Sequence, residues 1–149
     1  MKKLFAIVFT VLMLMSLSAN VFAADNVNIT TSIEPTHTVT IPANTSVAFN
    51  ATKTAFGAIQ VEAALIHPDK CIKVTLSSDG KLENSIDATK VIPYVIKDAA
   101  GNTFTSATYL AAGEKTELSI HITAADWKAA YAGDYADTVT FNVSYEDKV

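Results

Sequence analysis

The sequence predicts an all-β protein, a Greek-key β-sandwich with one short helix, and three observations predict it. The first is a period of two. Val139, Phe141, Val143 and Tyr145 alternate with Thr138, Thr140, Asn142 and Ser144. Successive side chains of a strand point to opposite faces, so this ribbon has one apolar face that needs cover. The second is the spacing of turn chemistry, with His67-Pro68-Asp69, Ser78-Asp79-Gly80 and Ala111-Ala112-Gly113-Glu114 cutting the chain into short segments. The third is the near absence of helical periodicity outside residues 124–131. Uneven strand lengths and proline interruptions favour an open sandwich over a closed barrel.

Residues 1–23 are set apart by composition. A basic start, Met1-Lys2-Lys3, leads into an apolar run over 4–19 and then the small-residue pattern Val21-Phe22-Ala23. That is the three-part pattern of a secretory signal peptide, with an apolar run short for a membrane span. Cleavage after Ala23 is expected, leaving residues 24–149 as a single secreted domain with no membrane insertion. Losing Lys2 and Lys3 takes the formal net charge from −4 to −6. The chain has no arginine, the preferred reader of phosphates and bases. An acidic, arginine-free surface argues against nucleic acid and anionic lipid as partners.

In order, residues 25–34 read as a first strand with Val27, Ile29 and Ile33 in phase, stopped by Pro35. Residues 37–41 form a second, ended by Pro42. Residues 46–50 continue it with Val47 and Phe49 on one side, residues 52–54 are loop, and residues 57–66 carry Ile59, Val61, Ala63 and Leu65 in phase. Residues 71–77 place Ile72, Val74 and Leu76 inward and Cys71, Lys73 and Thr75 outward. Residues 81–84 pair back across the Ser78-Asp79-Gly80 hairpin turn. Pro93, which cannot donate to a ladder, interrupts residues 91–98. Residues 103–110 carry Phe104 and Tyr109, and residues 115–123 alternate Thr116, Leu118, Ile120 and Ile122 against Glu117, Ser119 and His121. Thr123 followed by Asp126 resembles a capping box, predicting a helix of about two turns over 124–131 with Gly133 ending it. Trp127, the largest apolar side chain, is expected to cap one end of the core.

Gly133-Asp134-Tyr135 ahead of the Thr138-to-Phe141 strand resembles the ending of many small bacterial surface domains of immunoglobulin-like type. Thr38-Val39-Thr40-Ile41-Pro42, Ile92-Pro93-Tyr94 and the run from Ile122 to Trp127 fit the same pattern. Such proteins, typically secreted by Gram-positive bacteria, are similar in outline to spore-coat and fimbrial-type sandwiches. The resemblance implies surface display, adhesion or assembly rather than catalysis. It puts Tyr135 where the tyrosine of a tyrosine corner sits, with Asp137 at the usual cysteine position, so only a hydroxyl-to-backbone bond carries over.

Few residues suggest chemistry. Cys71 is the single cysteine, and in a secreted chain it is either an intermolecular thiol or a small partly covered strand residue. His67 and Cys71 lack a third group to orient them. His37, His67 and His121 lie in separate segments without ligand spacing, and Asp69, Asp79, Glu83, Asp87 and Asp98 read as solvated turn acids. Tyr94 and Tyr109, with Phe104, are the candidate aromatics for a sugar ring. The triplets at Asn28, Asn44, Asn50 and Asn142 are glycan acceptors only in a eukaryotic secretory pathway. No catalytic, metal or cofactor site is indicated. The chain ends Glu146-Asp147-Lys148-Val149 with no LPxTG-like sorting signal, so release or non-covalent retention at the surface is expected. The expected function is therefore non-enzymatic: adhesion or extracellular assembly, with other surface proteins, itself or a glycan as partner. Strand exchange through residues 25–34 is one route. The alternative is a carbohydrate-binding module, and a secreted hydrolase is the weaker one.

Overall fold

The computed structural model describes residues 28–149. The chain divides into two units, Met1–Ile33 and Glu34–Val149. Of the first unit, residues 28–33 are described; they form no strand, and Ile29 and Ile33 are 95% and 65% exposed. The strand expected over 25–34 is thus absent from 28–34, and residues 25–27, like the signal peptide, lie outside the described residues.

The second unit is built from antiparallel strands and one short helix, α1 (Ala124–Ala129). Strands β1 (Thr36–Thr40), β2 (Lys53–Leu65), β8 (Lys115–His121) and β6 (Val95–Asp98) form one sheet in the order β1-β2-β8-β6. A second runs β10 (Thr140–Asp147), β3 (Lys70–Ser77), β7 (Ser106–Tyr109). A small third runs β5 (Val91–Pro93), β4 (Lys81–Asn84), β9 (Tyr135–Ala136). All three contribute to one core, with Ile59, Ile72, Ile92, Val61 and Val74 fully buried at its centre.

Several strands depart from the simple alternation for identifiable reasons. β2 begins at Lys53, where a loop was expected, and it changes phase twice. The register shifts between Ala55 and Gly57, and again opposite Thr38/Val39. A bulge adds one unpaired residue and re-aims everything beyond it. Phe56, then Ile59 and Val61, then Ala64 therefore face the core, while Leu65 is 52% exposed. β4 does not pair back on β3 but with β5 and β9, because Gly80 at φ +70° turns the chain onto the third sheet. Pro93 marks the step from β5 in that sheet to β6 in the first. The expected strand over 46–50 forms no ladder.

Thr123 caps α1, its side chain accepting from Asp126 N. The helix stops earlier than expected, with Ala130 as an extended C-cap. Gly133, at φ +141°, lies three residues beyond and has a different role. No described helix is long and apolar enough to cross a membrane.

Candidate functional site

The two large sheets are joined along one side and open along the other. On the joined side, residues 103–105 step from β6 to β7: Phe104 N donates to Ile96 O at 2.9 Å and Leu76 N to Thr105 O at 2.8 Å. The Tyr109 hydroxyl reaches from β7 to Thr116 of β8 at 2.8 Å. On the other side the edge strands β1 and β10 face each other. They approach at one end, where His37 stacks on Tyr145 with ring centroids 5.9 Å apart and His67 N donates to Tyr145 Oη at 2.8 Å. Past their other end, beyond Ile41 and before Phe141, the one residue of β10 that lines it, lies a cleft of about 1440 Å3. Residues 41–47 form one wall and residues 132–141 the other. Phe56, Ile92 and Ile120 from the core line it as well, and Phe56 and Phe141 lie 5.9 Å apart.

The cleft's far wall is held by side chain to backbone ties. The Tyr94 hydroxyl donates to Asp137, with Ser78 Oγ 2.7 Å from Tyr94 Oη, so three loops meet at one point. Burial, and then the Asp137 carboxylate beside it, push the Tyr94 phenol up to about 12. Asn84, 5% exposed, accepts from Ile86 N and donates toward Ala132 O. A Cβ on Gly133 would sit 2.5 Å from Asn84 Nδ2, so glycine is required there by close approach as well as by its positive φ. The Tyr135 hydroxyl donates to Tyr131 O at 3.0 Å and accepts from Tyr131 N at 3.2 Å, a clasp at the helix-to-strand corner. Trp127 packs partly buried on the core, donates to Ala51 O at 2.9 Å, and meets Phe49 edge-on at 5.6 Å.

The candidate sugar-contacting rings are placed differently from expectation. Tyr94 and Tyr109 are 7% and 3% exposed, core residues whose hydroxyls alone find polar partners. A stacking platform needs an open ring face, and burial removes it; burial also raises the Tyr109 phenol. The exposed rings near the cleft are Phe49 at 76% and Tyr131 at 63%, with Lys90 Nζ lying 4.9 Å over the Tyr131 ring. Cys71 takes the second of its two readings, the covered strand residue. Although it points away from Ile72 and Val74, it is 4% exposed, with Sγ 3.7 Å from Asp147 O. Lys148 is tied to Asp69 O and Pro68 O in the same corner. A thiol so covered cannot meet a partner's sulfur without that corner opening.

No hydrogen bond joins His67 to Cys71 among the described residues, and none of their groups of His, Cys, Asp and Glu is arranged to hold a metal ion. His121 lies 3.0 Å from Ser119 Oγ, and no carboxylate among the described residues hydrogen-bonds to it. Burial, then Lys97 and Lys53, lower its pKa. The cleft mixes apolar side chains, Ile41, Val47, Phe56 and Phe141, with polar ones, Asn44, Ser46, Asp134 and Asp137. Sequence reasoning missed Asp137, Asn84 and the facing of Ile41 and Val47 toward Phe141. The strongest available signal was Gly133, read there as a helix stop and as part of the Gly133-Asp134-Tyr135 pattern. No family model matches the chain, and no curated protein matches it.

Proposed function

We propose that this is a secreted or cell-surface, non-enzymatic, immunoglobulin-like Greek-key sandwich that assembles by accepting an extended strand at its open edge. The carrying observation is the unfinished side of the core. No residue of β1 or β10 is fully buried, Val143 is 42% exposed, and the cleft that Phe141 of β10 borders reaches core residues Ile92 and Ile120. An edge strand offers a row of unpaired backbone groups to an incoming chain, with apolar contacts adding specificity.

The sheet order supports the immunoglobulin-like reading. In that fold one sheet runs A-B-E-D and the other carries C, F and G. Here β1-β2-β8-β6 follows the first order, while β10 occupies the place of F beside β3 as C and, among the described residues, is the edge strand of its sheet. The three-part pattern of residues 1–23 supports export. Residues 25–34 of another copy are the proposed donor, since Val27, Ile29 and Ile33 share one face of an extended chain. The chain starting at Ala24 is expected to form multimers in light scattering that disappear on deletion of residues 24–34. None of residues 28–33 belongs to the core, so the deleted chain should keep its melting temperature. Multimers that persist after the deletion exclude strand donation.

A further inference from the structure

The outer face of the β1-β2-β8-β6 sheet carries a cluster of basic side chains in a chain that is acidic as a whole. In one row Lys53 of β2 lies opposite His121 of β8, which lies opposite Val95 of β6. In the next row Ala55 lies opposite Ser119, which lies opposite Lys97. Directly opposed residues, and residues two apart on one strand, share a face. Lys53, Lys97 and His121 therefore stand around the short side chains of Ala55 and Ser119. None of the three has an acidic partner. The ion pairs among the described residues join Lys70 to Asp147, Lys73 to Glu146 and Lys115 to Glu117. Asp98, next to Lys97 in the chain, is turned into its own loop, accepting from Asn102 N at 2.9 Å. Like charges set together on a sheet repel, and burial with these two lysines already lowers the His121 pKa. Ser119 orients the ring. Its hydroxyl donates to Lys97 O at 3.5 Å and lies 3.0 Å from His121 Nε2. Oγ is then left to accept from Nε2–H, and Nδ1 has no hydrogen-bond partner among the described residues.

We propose that Lys53, Lys97 and His121 form a binding site for a single oxyanion, a phosphate or sulfate ester, seated over Ala55 and Ser119. The two ammonium groups supply charge and donors, and His121 adds Nδ1–H when it is protonated. The site uses none of the residues that line the cleft, so it stands apart from strand acceptance. The rest of the face sets its size. Glu117 is two residues from Ser119 along β8 and is held by Lys115, and Glu62 is held by Thr40 and Gln60. Two lysines bordered by these acids suit one anionic group and repel an extended anionic surface such as a duplex or a lipid leaflet. β8 is flanked by β2 and β6, so the charged groups facing His121 are Lys53 and Lys97, with Glu117 farther along its own strand. An anion between the lysines offsets their repulsion of the imidazolium, and the His121 pKa rises. By linkage, the anion then binds more tightly as the ring takes its proton.

The test titrates the chain from Ala24 with sodium sulfate, which keeps its charge across the pH range used, at an ionic strength held constant with chloride. NMR follows the amides and the histidine rings. Saturable shifts are expected at residues 53–55, 95–97 and 119–121. The His121 pKa should rise by about 1 unit, and sulfate should bind about tenfold more tightly below that pKa than above it. His37 and His67 serve as internal controls and should not move. The double variant Lys53→Gln, Lys97→Gln should lose the shifts while keeping its melting temperature, since it relieves repulsion and breaks no ion pair. His121→Gln should keep weak binding that no longer depends on pH. Shifts spread over lysines at large, or unchanged binding by the double variant, overturn the site. A His121 pKa that sulfate leaves in place overturns the coupling and with it the seat beside the ring. Dextran sulfate and phosphatidylserine vesicles complete the series. Dextran sulfate binding at least tenfold more tightly per sulfate, through the same residues, marks a polymer-borne ester as the source, and equal affinity marks a free anion. Vesicles that bind as tightly as dextran sulfate overturn the restriction to a single anionic group.

Discussion

The side where β6 meets β7 and the side where β1 faces β10 belong to the same core, and they are finished differently. At the first, Ile96, Phe104 and Tyr109 are 4%, 5% and 3% exposed, and the connecting residues hydrogen-bond into both sheets. At the second, Phe141 and Val139 are only partly buried, and Ile41 and Val143 are 44% and 42% exposed. Backbone partners, more than hydrophobicity, separate the two. Phe104 and Phe141 are the same residue type, but only Phe104 lies in a segment hydrogen-bonded to both sheets. A side chain is sealed when the main chain on either side of it is satisfied, because an unsatisfied edge must keep contact with water.

The comparison can be broken most sharply by truncating each side in turn. Phe104→Ala on the joined side is expected to cost about 3–5 kcal/mol, the range for deleting a buried aromatic ring, read in urea unfolding. Phe141→Ala should cost clearly less in a monomer, and an equal loss would mean that the open side is as well packed as the joined one. Next comes the wall of the cleft. Gly133→Ala forces a positive φ on a side chain and drives its Cβ against Asn84, with a strain cost of about 1–3 kcal/mol. If calorimetry finds the variant as stable as the parent, the wall is looser than described.

Smaller effects sharpen the picture. Thr123→Ala removes the cap on α1 and is expected to cost about 1 kcal/mol, measured by thermal unfolding. Tyr94 makes a pH prediction. Its phenol, raised to about 12 by burial and by Asp137, titrates near 10 in an unfolded chain. The folded state thus holds the proton more tightly. That stability is complete below about pH 10 and is lost as pH climbs toward 12. Tyr94→Phe should flatten the fall in melting temperature across this window, and an unchanged slope would show that another group carries it. Smallest of all, Val143→Thr on the open strand should move monomer stability by no more than about 0.5 kcal/mol while weakening multimers seen by light scattering. Multimers unaffected by it would move the interface away from β10.

Much of the molecule was legible before any coordinates. Ile72 with Val74, and Leu118 with Ile120 and Ile122, are the inward rows that alternation picks out, and all five are buried. Thr123 with Asp126 marked the helix start, because a cap is set by residues three apart in the chain. Alternation put Cys71 opposite Ile72 and left open whether it is covered, because the pattern says which face a residue takes, and not whether a distant segment such as residues 147–148 comes to rest beside it. The phase of β2 held at Ile59 and Val61 and failed beyond Val61, where Leu65 was expected inward, for a related reason: a bulge is fixed by the register of the partner strand, which a single strand's pattern does not contain.

The sequence by itself therefore determined the inward rows of β3 and β8 and the cap of the helix, since each depends on residues within a few positions of one another. Only the tertiary structure decided that β4 leaves β3 for a third sheet, that Tyr94 and Tyr109 are buried, and that residues 41–47 line a cleft without forming a ladder. Those outcomes turn on which strands become neighbours. A strand's own alternation is the same whether its backbone groups are paired or exposed, so pairing is settled by contacts between residues far apart in the chain.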